Sequence, residues 1–319
     1  MAISAKRFRA DLKKHGIFYT DAALAKEIKS YCPPDVKEVY DPTCGDGMLL
    51  SVFDDDVKKY GQDILAEQVE CARQNIPNFT GVVGDTLMDP AFTDKKFKCI
   101  VANPPFSIRW SPDQLKDDER FAAAPVLPPP GKADYAFILH ILHYLADDGV
   151  AVCLSFPGVL YRGQREGKIR EWLVRQNYVD KVIHIPGGHF EDTQIATCIL
   201  VLRKNKTDTR IHMIDTEINM DRVVEFDEVE QYDFNLSVNM YVQKPEEKEE
   251  VDPVALQRGA REASLRRLNG ELNFDRMVCE LERQSGNTAA EFDFLAYLHQ
   301  IRDLVDAYII DATRGHDDV

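Results

Sequence analysis

Between residues 36 and 204, short apolar runs alternate with stretches whose apolar positions recur every three or four residues. VKEVYDP (36–42), KKYGQDI (58–64), TGVVGDT (80–86), FKCIVANPP (97–105), GVAVCLSF (149–156), YVDKVIHIP (178–186) and ATCILVLRK (196–204) read as strands. GMLLSVF (47–53), LAEQVECARQNI (65–76), DYAFILHILHYL (134–145) and GKIREWLVRQN (167–177) read as helices, the third with apolar residues at 137, 138, 141, 142 and 145. Strands that alternate with helices predict a parallel, doubly wound sheet with right-handed crossovers. The last two strands are joined by a short connection, so one of them is expected to run antiparallel.

Two segments interrupt the alternation. Residues 107–133 are long and proline-rich, a composition that suits a loop closing over a site. Residues 243–253 are charged, with no apolar side chain before Val251 other than Pro245. Beyond them the chain reads as helical to its end, with Leu295, Leu298, Ile301, Val305 and Tyr308 on one face. The expected organisation is therefore an N-terminal segment (1–35), an α/β domain (36–242), a charged linker (243–252) and a helical region (253–319).

Charge and cysteine content narrow the setting. The net charge is −15, which opposes any duplex that lacks a basic partner or patch to hold it. No apolar run is long enough to span a membrane, and MAISAKRFRADLKKHG lacks the apolar core of a signal peptide. Seven cysteines are scattered without a C-x-x-C pair, several within apolar runs, which points to buried thiols in a reducing cytoplasm.

The chemistry gathers where strands end. In an open parallel sheet, ligands bind at the carboxyl ends of strands. Asp41 ends the first strand, Asp63 the second, Asp85 the third and Asn103 the fourth. Pro104 and Pro105 stop that fourth strand and hold the Asn103 amide, the Pro104 carbonyl and the Phe106 ring in a fixed relation, although an ordinary proline turn would look the same. Gly45 and Gly47 permit a tight turn and a close approach of backbone to ligand. Asp63 is placed to accept from two ribose hydroxyls, and Asp85 from an exocyclic adenine amine. Neither a phosphate-binding G-x-x-x-x-G-K-[ST] nor a full G-x-G-x-x-G occurs, and the eight histidines lack metal-ligand spacing. A nucleoside without phosphates fits best, which suggests S-adenosylmethionine and no metal.

DPTCGDG, GQDI, GDTL and NPPF, in that order, resemble the amino-methylating DNA methyltransferases, and most closely the methylation subunit of type I restriction–modification systems. HGIFYTDAALAKEI and the later blocks extend the resemblance over about residues 15–242. It implies a Rossmann-like class I S-adenosylmethionine-dependent methyltransferase fold with a C-terminal helical appendage. It also implies N6-adenine methylation in which Asn103, Pro104, Pro105 and Phe106 handle a base flipped out of the duplex. Asn103 and the Pro104 carbonyl would accept from the exocyclic amine, and Phe106 would stack on the base. Phe18, Tyr19, Thr20, Asp41, Pro42, Cys44, Gly45, Gly47, Asp63, Ile64, Asp85, Thr86 and Asn103 would line the cofactor site. Family members carry a long helical domain ahead of the FYT block, whereas about fifteen residues precede it here. Asp21 stands where proline is usual, and Met48 and Leu49 replace small residues.

No base-reading element is legible, and from residue 243 on ten Lys and Arg face seventeen Asp and Glu. The resemblance assigns target reading to a separate specificity subunit, with a second methylation subunit and a restriction subunit as further partners. Residues 253–319 are the expected docking region. Arg109, Lys132 and the cluster Arg162, Arg165, Lys168 and Arg170 form either a solvated face or a phosphate contact, while Asp113, Asp117 and Asp118 read as solvated. Trp110 and Phe121 are candidate stacking or wedge residues in the loop. Two other readings stay open: methylation of a glutamine side chain in a protein, and a non-catalytic cofactor-binding subunit of a larger complex.

Overall fold

The computed structural model describes residues 20–188, 195–244, 252–286 and 289–314. It divides into two units, Met1–Lys244 and Pro245–Val319. The first unit begins with α1 (Ala22–Ser30), β1 (Glu38–Asp41), α2 (Met48–Ser51), β2 (Lys58–Asp63), α3 (Ala66–Asn75), β3 (Phe79–Val83) and β4 (Phe97–Ala102). It continues with α4 (Glu119–Ala122), α5 (Asp134–Tyr144), β5 (Leu145–Ser155), α6 (Gln164–Arg175), β6 (Val179–Ile185), β7 (Thr197–Arg203), β8 (Ile211–Asp215), β9 (Met220–Val224) and α7 (Phe226–Gln231).

Among the described residues, nine strands join one sheet in the order β3-β2-β1-β4-β5-β7-β6-β8-β9. β7 runs antiparallel to both β5 and β6, as the short connection into it requires. The order reverses between β1 and β4, which pair in parallel through Tyr40 and Ile100, and this creates the crevice at their carboxyl ends. The pleat sends alternate side chains to two cores. Val39, Cys99 and Val101 pack with α1 and α2 on one face, while Tyr40, Ile100 and Ala102 pack with α5 on the other. Every residue of α5 except His143 is buried, which explains an apolar pattern too broad for a one-sided helix.

Three expectations change. The hairpin β8–β9, closed by residues 216–219 with Asn219 at φ 52°, was not legible as strands. Residues 107–133 are not a loose lid: Leu115 and Phe121 belong to the core, and the segment is tied at its base by Trp110 N–H to Pro130 O (3.0 Å) and Ala133 N–H to Ile108 O (2.8 Å). The helix after β1 is a single turn.

The second unit holds two long helices, α8 (Pro253–Gln284) and α9 (Ala289–Arg314). Leu298 and Ile301 of α9 are half-buried, while Leu295 and Val305 are exposed, so the expected single face divides. Tyr308 lies outside the side chains described. No helix among the described residues is long and apolar enough to cross a membrane.

Candidate active site

A cavity of about 430 Å³ opens at the reversal of strand order, a size suited to a small organic ligand. Its wall takes Asp41, Pro42, Thr43, Cys44 and Gly45 from the loop after β1, Asp63 and Ile64 from the end of β2, and Asp85 and Thr86 from the turn after β3. Asn103 and Pro105 enter from the end of β4, and Thr20 from just ahead of α1. Thus the strand-end residues expected from sequence converge, together with Thr20 of the FYT block. Phe18 and Tyr19 lie outside the described residues.

The loop after β1 is held by carboxylates. Asp41 Oδ1 accepts from Thr43 N–H at 2.9 Å, while Asp63 Oδ2 accepts from Gly45 N–H and Oδ1 from Leu65 N–H, both at 2.9 Å. Asp41 is only 1% exposed, and this burial pushes its carboxyl up to about 8 despite the bonds to Thr43. Burial also raises Asp63, against the backbone N–H groups that stabilise its charge. The Cys44 thiol is driven up by burial and by the carboxylates Asp41 and Asp63, so it stays protonated and is no nucleophile.

The two glycines differ. Gly45 takes φ 52° and a side chain there would meet open space, so it keeps the cavity floor clear. Gly47 does not line the cavity; at φ 86° a Cβ would stand 2.0 Å from Ile76 Cδ1. Gly47 instead stands close against Ile76 and Ala72.

Asp85 Oδ1 accepts from Leu87 N–H (2.9 Å) and Met88 N–H (3.2 Å), closing the turn after β3. The Thr86 hydroxyl donates to Pro42 O, joining that turn to the first loop. Gln62, buried in β2, donates to Asp89 O (2.7 Å) and accepts from Ala91 N–H (2.8 Å). Sequence reasoning passed over Gln62 because its partners are backbone groups almost thirty residues away.

At the end of β4, Asn103 Nδ2 donates to Thr20 Oγ1 at 3.0 Å. Pro104 is buried, and Phe106 is half-buried against the core cluster of Val101 and Leu154. Neither is part of the cavity wall. The chain then turns through Ser107, at φ 53°, whose N–H donates to Asp134 Oδ1 at 3.1 Å. Asp134 Oδ2 faces Arg162 Nη1 at 3.5 Å, and Arg162 Nη2 donates to Ser107 Oγ at 3.2 Å.

These contacts revise the basic cluster. Arg162 is engaged with Asp134, Glu166 and Ser107, and Arg170 is buried, donating to Phe234 O, Val159 O and Arg162 O. Only Arg165 and Lys168 of the four are exposed. Phe121 is 2% exposed and packs on Trp110, with ring centroids 5.4 Å apart, so it cannot act as a wedge. Trp110 itself donates through Nε1 to Pro129 O (2.9 Å) and lines the cavity beside exposed Arg109. Asp118, expected to be solvated, chelates Arg120.

Among the described residues, the wall carries four acidic side chains, Asp41, Asp46, Asp63 and Asp85, against one cation, Arg109, although burial keeps Asp41 largely protonated near neutral pH. That balance repels phosphates and favours a positively charged ligand such as a sulfonium with an α-ammonium group. Gly45 leaves room beside them, and exposed Ile64 offers an apolar flank for a planar base. The residues present therefore fit S-adenosylmethionine. Elsewhere, His184, Asp215 and Glu217 bring possible ligand atoms within 4.8 Å of one another across β6 and β8, a grouping invisible in sequence spacing. Asp215 Oδ1 already accepts from Glu217 N–H and Ile218 N–H, so the grouping closes a turn.

The strand order and the acidic cavity at its reversal define a class I S-adenosylmethionine-dependent methyltransferase fold. The family model for N-6 DNA methylases matches residues 5–225, and the chain belongs to that family. It is 34% identical to the type I restriction enzyme MpnII methylase subunit of Mycoplasma pneumoniae, over 75% of this chain and 55% of that one. With the HindI methylase subunit of Haemophilus influenzae the figures are 28%, 62% and 48%. The crystal structure of a type I restriction-modification methyltransferase subunit from Streptococcus thermophilus superposes with a TM-score of 0.66 at 29% identity, covering 71% of this chain and 59% of that one. The chain spans about half the length of the curated relatives it matches.

Proposed function

We propose that the chain transfers a methyl group from S-adenosylmethionine to N6 of adenine in DNA, as the methylation subunit of a type I-like restriction–modification system. The observation that carries this is the opening of Asn103, at the end of β4, onto the same cavity as Asp41, Gly45, Asp63 and Asp85. When bound, the cofactor supplies an electrophilic methyl group on a positively charged sulfur. Asp63 accepts from the ribose hydroxyls, Asp85 from the adenine amine of the cofactor, and Ile64 covers one face of that adenine. Asp41, on giving up its proton to the solvent, offsets the cofactor's positive charge.

For the target base, Asn103 Oδ1 and the Pro104 carbonyl accept the two amine hydrogens, which turns the nitrogen lone pair away from the ring and toward the cavity. Phe106 stacks on the extruded base, contributing about 1–3 kcal/mol against the cost of unstacking. No general base is required, because the methylated amine sheds its proton readily. Catalysis rests on holding the two reactants in line and excluding water.

The net charge of −15 is met by a separate specificity subunit that reads and grips the DNA. The exposed apolar residues of α8 and α9 are the docking surface for it, and a second methylation subunit and a restriction subunit complete the assembly in the cytoplasm. Single-molecule sequencing of genomic DNA from the native host, wild type against Asn103→Ala, tests the reading. Loss of N6-methyladenine at one bipartite motif is expected; an unchanged methylome refutes it and favours a glutamine side chain or a non-catalytic role.

A further inference from the structure

Arg120 lies in α4, outside the cavity wall, and its side chain is 3% exposed. All five of its N–H donors are used. Nε donates to Asp118 Oδ1 (2.9 Å) and Nη2 to Asp118 Oδ2 (2.7 Å), a two-point pairing that fixes the plane of the guanidinium. Nη1 donates to Thr86 O (2.9 Å) and to His140 Nδ1 (3.1 Å), and Nη2 also donates to Leu87 O (2.6 Å). Because arginine only donates, His140 Nδ1 must accept, which leaves its proton on Nε2, facing the Tyr40 hydroxyl at 3.2 Å. Burial and the neighbouring guanidinium keep His140 neutral.

One side chain therefore joins four parts of the molecule: the 107–133 segment through Asp118, the turn after β3, α5 through His140, and β1 through Tyr40. The turn carries this network to the cavity, which Asp85, Thr86, Leu87 and Met88 all line. The same 107–133 segment adds Arg109, Trp110, Ser111 and Gln114 to the wall.

We infer that Arg120 is a positioning residue which sets the carbonyls of Thr86 and Leu87, and with them the turn that receives the adenine end of the cofactor, while anchoring the 107–133 wall to the same point. This rests on the cofactor reading above. A lysine cannot replace it: three donors on one nitrogen cannot reach two carbonyls, an imidazole and a carboxylate held in a plane.

The test is calorimetric titration of S-adenosylmethionine into the full chain, wild type, Arg120→Lys, Arg120→Gln and Asp118→Asn, with thermal unfolding run alongside. Arg170→Gln is the control, since Arg170 is an equally buried arginine that donates to three backbone carbonyls away from the cavity. Both Arg120 variants are expected to raise Kd about tenfold or more per folded molecule, the scale of losing one or two charged hydrogen bonds, and Asp118→Asn to raise it less. Arg170→Gln is expected to lower the melting temperature and leave Kd unchanged. Equal Kd in wild type and Arg120→Lys overturns the inference, as does an equal rise in Arg170→Gln. If Arg120→Gln does not fold, Arg120→Lys and Asp118→Asn decide alone. Absence of binding by wild type would instead remove the cofactor reading itself.

Discussion

Asn103 and Thr20 lie 83 positions apart and meet through a 3.0 Å hydrogen bond in which the asparagine amide donates to the threonine hydroxyl. That bond turns the carbonyl end of the amide away from Thr20, and it ties the NPPF motif to the segment ahead of α1. Thr20→Val keeps the shape and removes the acceptor. The expected result is a fall in kcat of roughly five- to tenfold with little change in melting temperature, the scale of one hydrogen bond of about 1 kcal/mol. Thr20→Ser should restore most of the activity. Single-turnover methylation of a target duplex, with the specificity partner present, measures both.

Asp41 provides a pH signature. Its ordinary value of 3.8 is raised to about 8 by burial, so the folded protein resists its ionisation. The sign follows directly: stability from this group is complete below about pH 4, falls as pH rises, and is lost once pH passes about 8. Asp41→Asn removes the dependence, so the variant should gain stability relative to wild type between pH 4 and 8, at most about 1.4 kcal/mol per pH unit. Urea unfolding of both proteins across that range checks it. A bound cation beside Asp41 favours its charged form, so cofactor binding at pH 7 should release a proton, seen by calorimetry in buffers of different ionisation enthalpy. Asp41→Asn should abolish that release.

Gly47 separates a packing role from a ligand role. Its left-handed φ of 86° and the 2.0 Å approach of Ile76 Cδ1 to a built Cβ both penalise alanine. Gly47→Ala should cost about 2–5 kcal/mol, from backbone strain and overpacking together. The loss should be the same with and without cofactor, and Ile76→Ala in the same chain should recover part of it. Thermal unfolding of the single and double variants distinguishes this from a defect in binding alone.

What sequence could and could not show divides along one physical line. Asp41, Asp63, Asp85 and Asn103 are legible because strand periodicity places them at carboxyl ends, where a doubly wound sheet gathers its ligands. Arg120 is not, because its partners are the carbonyls of residues 33 and 34 positions away and a histidine 20 positions away, and backbone acceptors leave no trace in side-chain identity. Arg170 was taken for a surface charge for the same reason. The β8–β9 hairpin was missed because an edge pair such as IHMID and MDRVV mixes charges into both strands. Asp118 looked solvated because nothing in a polar loop announces a buried guanidinium two residues on.

The helical unit carries the last prediction. α8 is 32 residues long and has no buried residue, yet Phe274, Met277 and Leu281 follow one another at helical spacing and are exposed. On α9, Leu304 and Ile309 are also exposed. Large side chains in such a stripe commit a helix to a partner groove, and aromatic and methionine anchors dominate the affinity of such contacts. The acidic character of the region excludes a phosphate backbone as that partner and leaves an apolar, helix-binding protein surface. If the proposed specificity subunit docks here, Phe274→Asp with Met277→Asp should weaken its association by about a hundredfold or more, the loss of two anchors of roughly 1–2 kcal/mol each. Cofactor affinity should not move, because every described residue of the cavity wall belongs to the first unit. Co-purification of the tagged specificity subunit, paired with cofactor titration of the same variant, reads both outcomes. Retained association would place the docking surface elsewhere on the chain.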